Sequence, residues 1–264
     1  MLIVAERINA SRKPVRAALE KFDAAAVQAE AKIQAAAGAH YIDVNGGTFP
    51  GREPELLTWL VEVVQDVTEL PLSVDSSDPA ALAAALPKTK RAPMINSVTL
   101  EGDRFERVLA LAREHKAKLV ALCQGEGPMA STVERKLELG CRLVDRLTDG
   151  GMALDDIYVD PLVFPVATDP ASATATLHAF AELMRRYPGV HTICGLTNVS
   201  HGLPARKLVN RTFLVASIAF GLDAVIADPT NAELMAAMVA AEALSGRDEY
   251  CVDMIQAFQD GKLG

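Results

Sequence analysis

The amino-acid sequence predicts an α/β fold, a (β/α)8 TIM barrel of the kind that binds a small ligand at one end. Eight short apolar runs, each bounded by turn residues, indicate buried strands, and helical periodicity follows each run. Eight strand–helix units are what this barrel requires, and about 250 residues is its usual length. Because the chain has 264 residues and no linker or low-complexity segment divides it, we expect residues 1–264 to form a single domain.

The strands are predicted from the apolar runs. Half of the residues are hydrophobic, which is enough for a continuous core. Strands of a parallel barrel are covered on both faces, so their sequences are continuous apolar runs and do not alternate. The predicted strands are Leu2–Asn9, Tyr41–Asn45, Leu72–Asp75, Met94–Asn96, Leu119–Gln124, Ile157–Asp160, Thr192–Asn198 and Ala224–Asp228.

The helices are predicted from their start and stop residues. Gly38 ends an alanine-rich segment, and Asp78 with Pro79 combines a capping side chain with a proline suited to the first turn. A short terminal helix is expected in the tail from Tyr250 to Gly264. The longer predicted helices are Asp23–Ala37, Glu53–Thr68, one starting at Asp78, Asp103–His115, Thr132–Thr148, Ala171–Tyr187, Pro204–Phe220 and Asn231–Leu244.

The charge balance argues against a nucleic-acid partner. The formal net charge is −8, and the longest basic cluster, Lys88–Arg91, lies between two prolines and is typical of a solvated loop. A nucleic-acid-binding surface usually shows a basic patch or stripe. We therefore expect no nucleic acid among the ligands.

Neither a signal peptide nor a membrane span is predicted. Met1–Asn9 lacks the basic region, long apolar segment and small-residue cleavage site of a signal peptide. The longest apolar stretch, Phe213–Ala227, is interrupted by Gly221 and Asp223 and is too short to cross a bilayer. We expect a cytoplasmic protein that does not contact a membrane.

The cysteines and histidines predict no metal site. The four cysteines are far apart and form no CxxC or Cys/His pattern of the zinc type. The five histidines are scattered and form no HExxH motif. Cys123 and Cys194 fall within predicted strands, where a free thiol usually serves as a small core residue.

A polar side chain closes each of the eight predicted strands. In a (β/α)8 barrel these positions surround the active site. They hold carboxylates and carboxamides and no lysine or arginine, which favours a neutral, donor-rich heterocycle over a phosphate. The residues are Asn9, Asp43, Asn45, Asp75, Asn96, Gln124, Asp160, Asn198 and Asp228.

Asp75, Asn96 and Asp160 are the strongest candidates for ligand contacts. A carboxylate accepts two parallel N–H bonds, which matches an amidine-like edge such as the aminopyrimidine edge of a pterin. Asn96 both donates and accepts, so it suits a neighbouring carbonyl or ring nitrogen. A single aspartate at such a position more often caps the next helix. Three polar residues on separate strands of one barrel face favour a ligand.

The segment from Gly195 to Arg206 is the second candidate. Glycines at 195 and 202 allow close approach of the backbone to a ligand. Neither GxGxxG nor GxxxxGK[ST] spacing is present, so a phosphate loop is not indicated. Asn198 can donate a hydrogen bond, His201 can titrate and Arg206 can bind an anion, although a lone histidine is more often an ordinary loop residue.

These motifs resemble the methyltetrahydrofolate:corrinoid/iron-sulfur protein methyltransferases. The resemblance runs in order along essentially the whole chain and extends to the folate module of cobalamin-dependent methionine synthase and to dihydropteroate synthase. The matching segments are 4–9, 42–45, 74–77, 95–97, 160–162, 195–200, 206, 210–213 and 221–229.

The resemblance implies an activity and its partners. Members of the family have a pterin-binding (β/α)8 barrel and are usually homodimers. They move a methyl group between N5 of methyltetrahydrofolate and the cobalt of a corrinoid (cobalamin) held on another protein. The implied substrate is therefore methyltetrahydrofolate or tetrahydrofolate, and the implied partners are a corrinoid protein and a second copy of the chain.

The resemblance also assigns residues. Asp75, Asn96 and Asp160 would hold the pterin, and Asn198 would lie near N5 as the catalytic residue. Thr197 stands where relatives often have serine, and His201 where they often have glutamine, so the role of position 201 is open. Gly195, Thr197, His201 and Arg206 would face the ligand from one loop, and further candidates for pterin contacts are Glu6, Asn9, Asp43, Asn45, Gln124 and Asp228.

Three alternatives stay open at this point. A dihydropteroate synthase would need basic residues for a pyrophosphate, generally an Arg-x-His near the last strand, where this chain has Ala227–Asn231. A non-catalytic pterin-binding or corrinoid-docking subunit would not need Asn198. An unrelated barrel lyase would usually carry a lysine or metal ligands at its strand ends. The barrel sequence does not set the direction of methyl transfer.

Overall fold

The computed structural model, which describes residues 1–47, 49 and 51–263, confirms the (β/α)8 barrel. The last residue of the predicted tail, Gly264, lies outside the described part. All strands are parallel to their neighbours, as pairing through helical crossovers requires. The strands are β1 Leu2–Asn9, β2 Tyr41–Asn45, β3 Leu72–Asp75, β4 Met94–Leu100, β5 Lys118–Gly125, β6 Ile157–Asp160, β7 His191–Thr192 and β8 Ala224–Ala227.

Ten α-helices surround these strands in the described residues. Side-chain caps open several of them: Asp23, Asp78, Thr132 and Asn231 each accept a hydrogen bond from a backbone N–H of the first turn. The helices are α1 Lys13–Lys21, α2 Ala24–Ala36, α3 Glu53–Gln65, α4 Pro79–Ala85, α5 Arg104–His115, α6 Val133–Asp149, α7 Ser172–Arg186, α8 Arg206–Ala219, α9 Ala232–Leu244 and α10 Val252–Gln259.

The strands follow the order β7-β6-β5-β4-β3-β2-β1-β8. The register places polar strand ends beside one another: Asn45 pairs with Asp75, and Asp75 pairs with Asn96. The seam between β7 and β8 is closed at the Gly195–Ile226 bridge, where the Ile226 N–H donates to the carbonyl of Cys194 at 2.9 Å. The carboxyl ends of neighbouring strands therefore meet at one rim.

The core lies in two layers. One buried cluster, which includes Val4, Met94, Val120 and Tyr158, joins side chains from β1, β4, β5 and β6, the arrangement that fills a barrel interior. Larger clusters pack the outer strand faces against the apolar stripes of the helices. Burial of this surface fixes the strands, and thereby the positions of the side chains at their ends.

Two sequence predictions need correction. The predicted strand Thr192–Asn198 is wrong beyond Thr192, because the chain turns after Gly195 and Leu196–Ser200 forms a 3-10 helix. The sequence reasoning also missed α1, in which Pro14 lies in the first turn and Val15, Ala18 and Leu19 form a buried face. Over the described part of the chain, no helix combines the length and apolar character that a membrane crossing needs.

Candidate active site

A cavity of about 1100 Å³ opens at the carboxyl ends of the strands. This is where a (β/α)8 barrel binds its ligands. The cavity brings together nearly every residue that the sequence singled out. Those in its wall are Glu6, Asn9, Asp43, Asp75, Asn96, Gln124, Asp160, Gly195, Thr197, Asn198, Arg206 and Asp228.

Two predicted residues lie outside the cavity wall. Asn45 supports it from behind, because its Nδ2 donates to Oδ2 of Asp75 at 2.8 Å while its Oδ1 accepts from the Gly47 N–H at 3.0 Å. His201 is exposed beyond the 3-10 helix. Asn45 therefore orients a cavity carboxylate, whereas a direct pterin contact of His201 stays a prediction.

Asp43, which is buried, and Asp75, which is partly buried, form an acidic pair in the cavity floor. Burial raises the pKa of Asp75 to about 6, against the opposing effect of the hydrogen bond from Asn45. Burial and the charge of Asp75 also raise the pKa of Asp43 well above its usual range. Asp43 Oδ1 accepts hydrogen bonds from Ser73 Oγ at 2.6 Å and from Asn96 Nδ2 at 3.4 Å. Both groups can accept N–H donors from a ligand that replaces water.

Asp160 is held by the turn that follows β6. Its Oδ1 accepts a hydrogen bond from the backbone N–H of Leu162 at 2.7 Å, and Leu162 has the left-handed backbone angle φ of 64°. The pKa of Asp160 rises to about 6, chiefly because the carboxyl group is buried. Hydrogen bonds from the backbone of Leu162 and Gly195 oppose this rise, and the remaining lone pairs of the carboxylate can accept donors from a ligand.

A buried lysine from α6 fastens the same turn. The ammonium of Lys136 donates to the backbone carbonyls of Pro161 at 2.8 Å and Leu162 at 2.7 Å. It also lies 5.1 Å from the ring centre of Phe164. Burial lowers the pKa of Lys136 to about 8. This lysine acts on the site through the backbone beside Asp160, and the sequence reasoning did not identify it.

The Gly195–Ser200 segment carries Asn198 into the cavity. A Cβ atom at position 195 would lie 3.1 Å from Nδ2 of Asn198, so a side chain there would crowd the amide. Arg206 braces the 3-10 helix, since its Nε donates to Ser200 Oγ at 3.1 Å and its Nη2 to the Thr197 carbonyl at 2.9 Å. These contacts hold Asn198 in the cavity wall, and they occupy the Nε and Nη2 donors of Arg206.

Glu6 faces this loop from β1. Its Oε2 accepts a hydrogen bond from Thr197 Oγ1 at 3.4 Å. Burial, and next the charge of Asp228, raise the pKa of Glu6 to about 7. Glu6 can therefore exchange a proton near neutral pH in the part of the cavity that contains Asn198.

The cavity wall also contains cations that the strand-end pattern did not reveal. Arg7, Arg12, Arg104 and Lys207 line it together with Arg206. Arg7 is paired with Glu30 and Asp228, and Arg104 donates to backbone carbonyls of Ser76 and Ser97 at 2.9 and 2.6 Å. A sequence signal did exist on α8, where helical spacing puts residues 206, 207 and 210 on one side.

The two cysteines of the predicted strands behave as the sequence indicated, whereas Cys251 is exposed. Cys123 and Cys194 are fully buried, and burial raises the pKa of both thiols above the usual range. Unreactive core thiols have this environment. Among residues 1–47, 49 and 51–263, no three His, Cys, Asp or Glu side chains are arranged to hold a metal ion.

Comparison with known proteins shows which family the chain resembles. The pattern of the pterin binding enzymes matches residues 5–228. A methylcorrinoid:tetrahydrofolate methyltransferase of Eubacterium limosum is 36% identical over 266 aligned residues, which cover 100% of this chain and 98% of that protein. The methionine synthase of Mycobacterium tuberculosis is 34% identical over 241 residues, which are 86% of this chain but 20% of that much longer protein.

Solved structures agree on the fold. The dihydropteroate synthase of Yersinia pestis superimposes with a TM-score of 0.68 at 18% sequence identity, covering 92% of each chain. The dihydropteroate synthase of Xanthomonas albilineans in complex with 7,8-dihydropteroate gives 0.69 at 19% identity, again over 92% of each chain. These structures support the barrel, and the sequence matches confirm the resemblance found in the motifs. The chain belongs to the family of pterin binding enzymes.

Proposed function

We propose that this protein is a methyltransferase that moves a methyl group between N5 of tetrahydrofolate and the cobalt of a corrinoid carried by a partner protein. One observation carries the proposal: Asp75, Asn96, Asp160 and Asn198 line a single cavity at the strand ends. A relative that matches over 98% of its own length, a methylcorrinoid:tetrahydrofolate methyltransferase, supports the same chemistry.

The pterin would lie on the acidic floor. Asp75 and Asp160 are buried carboxyl groups with pKa values near 6, so at neutral pH they are largely ionised and accept N–H bonds from the aminopyrimidine edge. Asn96, beside Asp75 in the register, would serve the adjacent ring carbonyl or nitrogen. A flat bicyclic ring would thus be held by its edge, with N5 directed to Asn198 in the loop after β7.

Asn198 would act at N5. A tertiary amine is a poor leaving group unless N5 gains positive character, and a hydrogen bond that strengthens as charge develops stabilises the transition state selectively. A single such contact is worth a few kcal/mol at most, about 3 kcal/mol. Positioning of the two reactants would supply much of the remaining rate.

The corrinoid would be the second substrate. When bound, it supplies cobalt as the acceptor or donor of the methyl group. The cavity has room beyond a pterin, since pockets for whole drug-sized ligands span about 300–1,000 Å³. We infer that the partner's corrinoid approaches over this mouth, and that the protein works as a homodimer.

A spectroscopic experiment tests the proposal. The protein is mixed with 5-methyltetrahydrofolate and free cob(I)alamin, and the cobalt absorption is followed. We expect formation of methylcobalamin at a rate proportional to the enzyme concentration. Pterin binding without turnover would point to the docking subunit. Condensation of a pterin pyrophosphate with aminobenzoate would point to the synthase.

A further inference from the structure

The wall of the cavity formed by the first turn of α8 and the loop after β1 carries a group of positive side chains. Arg12, Arg206 and Lys207 all line the cavity there, and we call them the cationic edge. Arg12 follows β1 and the other two open α8, so they lie on the β7–β8–β1 side of the barrel. Asp75 and Asp160 come from β3 and β6. The site therefore has an acidic floor and a positive edge.

Direct carboxylate partners do not neutralise this edge. Arg12 Nη1 donates to the Arg7 carbonyl at 3.0 Å, and Arg206 donates to a hydroxyl and a carbonyl. In the part of the chain that the structure describes, the Lys207 ammonium has no hydrogen bond or ion pair. An exposed, unpaired cation at the mouth of a binding cavity is available to an anionic group of a ligand.

The nearby carboxyl groups are occupied by other contacts. Asp228 accepts hydrogen bonds from Arg7 and from Thr230, the latter at 2.6 Å. Glu6 holds its proton up to about pH 7, because burial raises its pKa. The charge of Glu6 interacts with Arg12 and Arg206, but Glu6 is only about half ionised at pH 7, so the edge keeps part of its positive charge.

An acceptor on the same face of α8 lacks a donor. Asn210, three residues after Lys207, lines the cavity, and within the described residues its buried Oδ1 has no hydrogen-bond partner. A buried acceptor without a donor is costly, so a ligand N–H placed there would be favourable. The edge and this acceptor together match a ligand that combines carboxylates with an amide N–H.

We propose that the cationic edge binds the glutamate tail of the folate, with Arg12 and Lys207 contacting its carboxylates and Asn210 accepting its amide N–H. This inference rests on the proposed function. The two ends of the folate would then bind to parts of the cavity with opposite charge. The donor-rich pterin lies on the acidic floor, and the anionic glutamate tail lies on the cationic edge. Folates with additional γ-linked glutamates carry more negative charge and would bind more tightly.

Calorimetric titration with two probes separates the head from the tail. One probe is 5-methyltetrahydrofolate, and the other is a 5-methyltetrahydropterin that lacks the aminobenzoylglutamate. The double variant Arg12→Gln/Lys207→Gln is compared with the wild type. Lys13→Gln is the matched control, because Lys13 is an exposed neighbour of Arg12 outside the cavity wall.

We expect the double variant to bind 5-methyltetrahydrofolate about tenfold more weakly, the scale of two exposed ion pairs. Its affinity for the tail-less pterin should be unchanged, and the control should match the wild type for both probes. Added salt should weaken folate binding to the wild type more than to the double variant.

Two results would overturn the inference while leaving the proposed function intact: equal losses for both probes, or no loss for the folate. Failure of the wild type to bind either probe would instead refute the proposed function. A triglutamate folate gives a further check, since it should bind the wild type more tightly than the monoglutamate and lose that advantage in the double variant.

Discussion

Replacing Lys136 by methionine should destabilise the fold and weaken pterin binding together. The two hydrogen bonds from the lysine ammonium to the carbonyls of Pro161 and Leu162 are short and buried. A hydrogen bond from a charged donor contributes about 1.5–3 kcal/mol, so two contribute about 3–6 kcal/mol. Methionine fills a similar volume but leaves both carbonyls without a donor.

Part of this loss is offset. Burial lowers the pKa of Lys136 from 10.5 to about 8. Keeping the ammonium charged at neutral pH therefore costs the wild type up to about 3 kcal/mol, a cost that methionine does not carry. Subtracting this cost leaves an expected loss of up to about 3 kcal/mol in the free energy of unfolding. Because the Leu162 N–H orients Asp160, pterin affinity should fall by about tenfold, or about 1.4 kcal/mol.

Urea unfolding followed by circular dichroism gives the stability, and titration with 5-methyltetrahydrofolate gives the affinity. Arg142→Met is the control, since Arg142 is an exposed residue of the same helix. A Lys136 variant that is more stable than this control would refute the reasoning, and one of equal stability would show that the hydrogen bonds only offset the cost of the buried charge. If it is less stable but binds the folate normally, Lys136 does not position Asp160.

Three other changes have defined outcomes. Asn198→Ala should slow methyl transfer by about 10²–10³-fold with little change in pterin affinity, measured by single-turnover spectroscopy; a wild-type rate would rule out its action at N5. Asp160→Asn should abolish tight pterin binding yet raise the stability of the free protein at pH 7.5 by up to about 3 kcal/mol. The folded-state pKa of Asp160, near 6, lies above the unfolded value near 4, so the stability from this group is lost as pH rises through 6. A lower melting temperature of the variant at pH 7.5 would contradict this. His191→Gln should lower the urea midpoint more at pH 6 than at pH 9, because the 2.6 Å hydrogen bond with Asp223 raises the pKa of His191. The stabilisation from this ionised pair is complete below about pH 6.5 and is lost as pH rises through the folded-state pKa. A loss of stability independent of pH would refute the ionic contribution.

The strand ends were predictable because a strand that is buried on both faces has a continuous apolar sequence. β1, β2, β3 and β6 begin and end where the sequence predicts. The run after Thr192 is equally apolar, but Gly195 and the bonds of Arg206 turn it into a 3-10 helix. The hydrophobic pattern of the sequence cannot predict this contact of Arg206.

The site was predictable to the same extent. Polar residues at strand ends share a rim by topology, so Asp75, Asn96 and Asp160 could be placed from sequence. Lys136 and Lys207 could not be placed there, because a lysine on a helix is usually an exposed surface residue. Helical spacing shows only that Lys207 shares one side of α8 with Arg206. Only the packing of α6 and α8 on the strands brings them to the cavity.

The seam between β7 and β8 has a consequence for motion. In the described residues, β7 is only His191–Thr192, and a bridge from Gly195, which follows β7, reaches Ile226 of β8. By contrast, β1 and β2 share a register over four residue pairs. Amide hydrogens bordering this junction should exchange first with solvent, at free energies below that of global unfolding. The loop that carries Asn198 begins at that junction, so it can open locally when the second substrate binds while the other strands of the barrel stay paired.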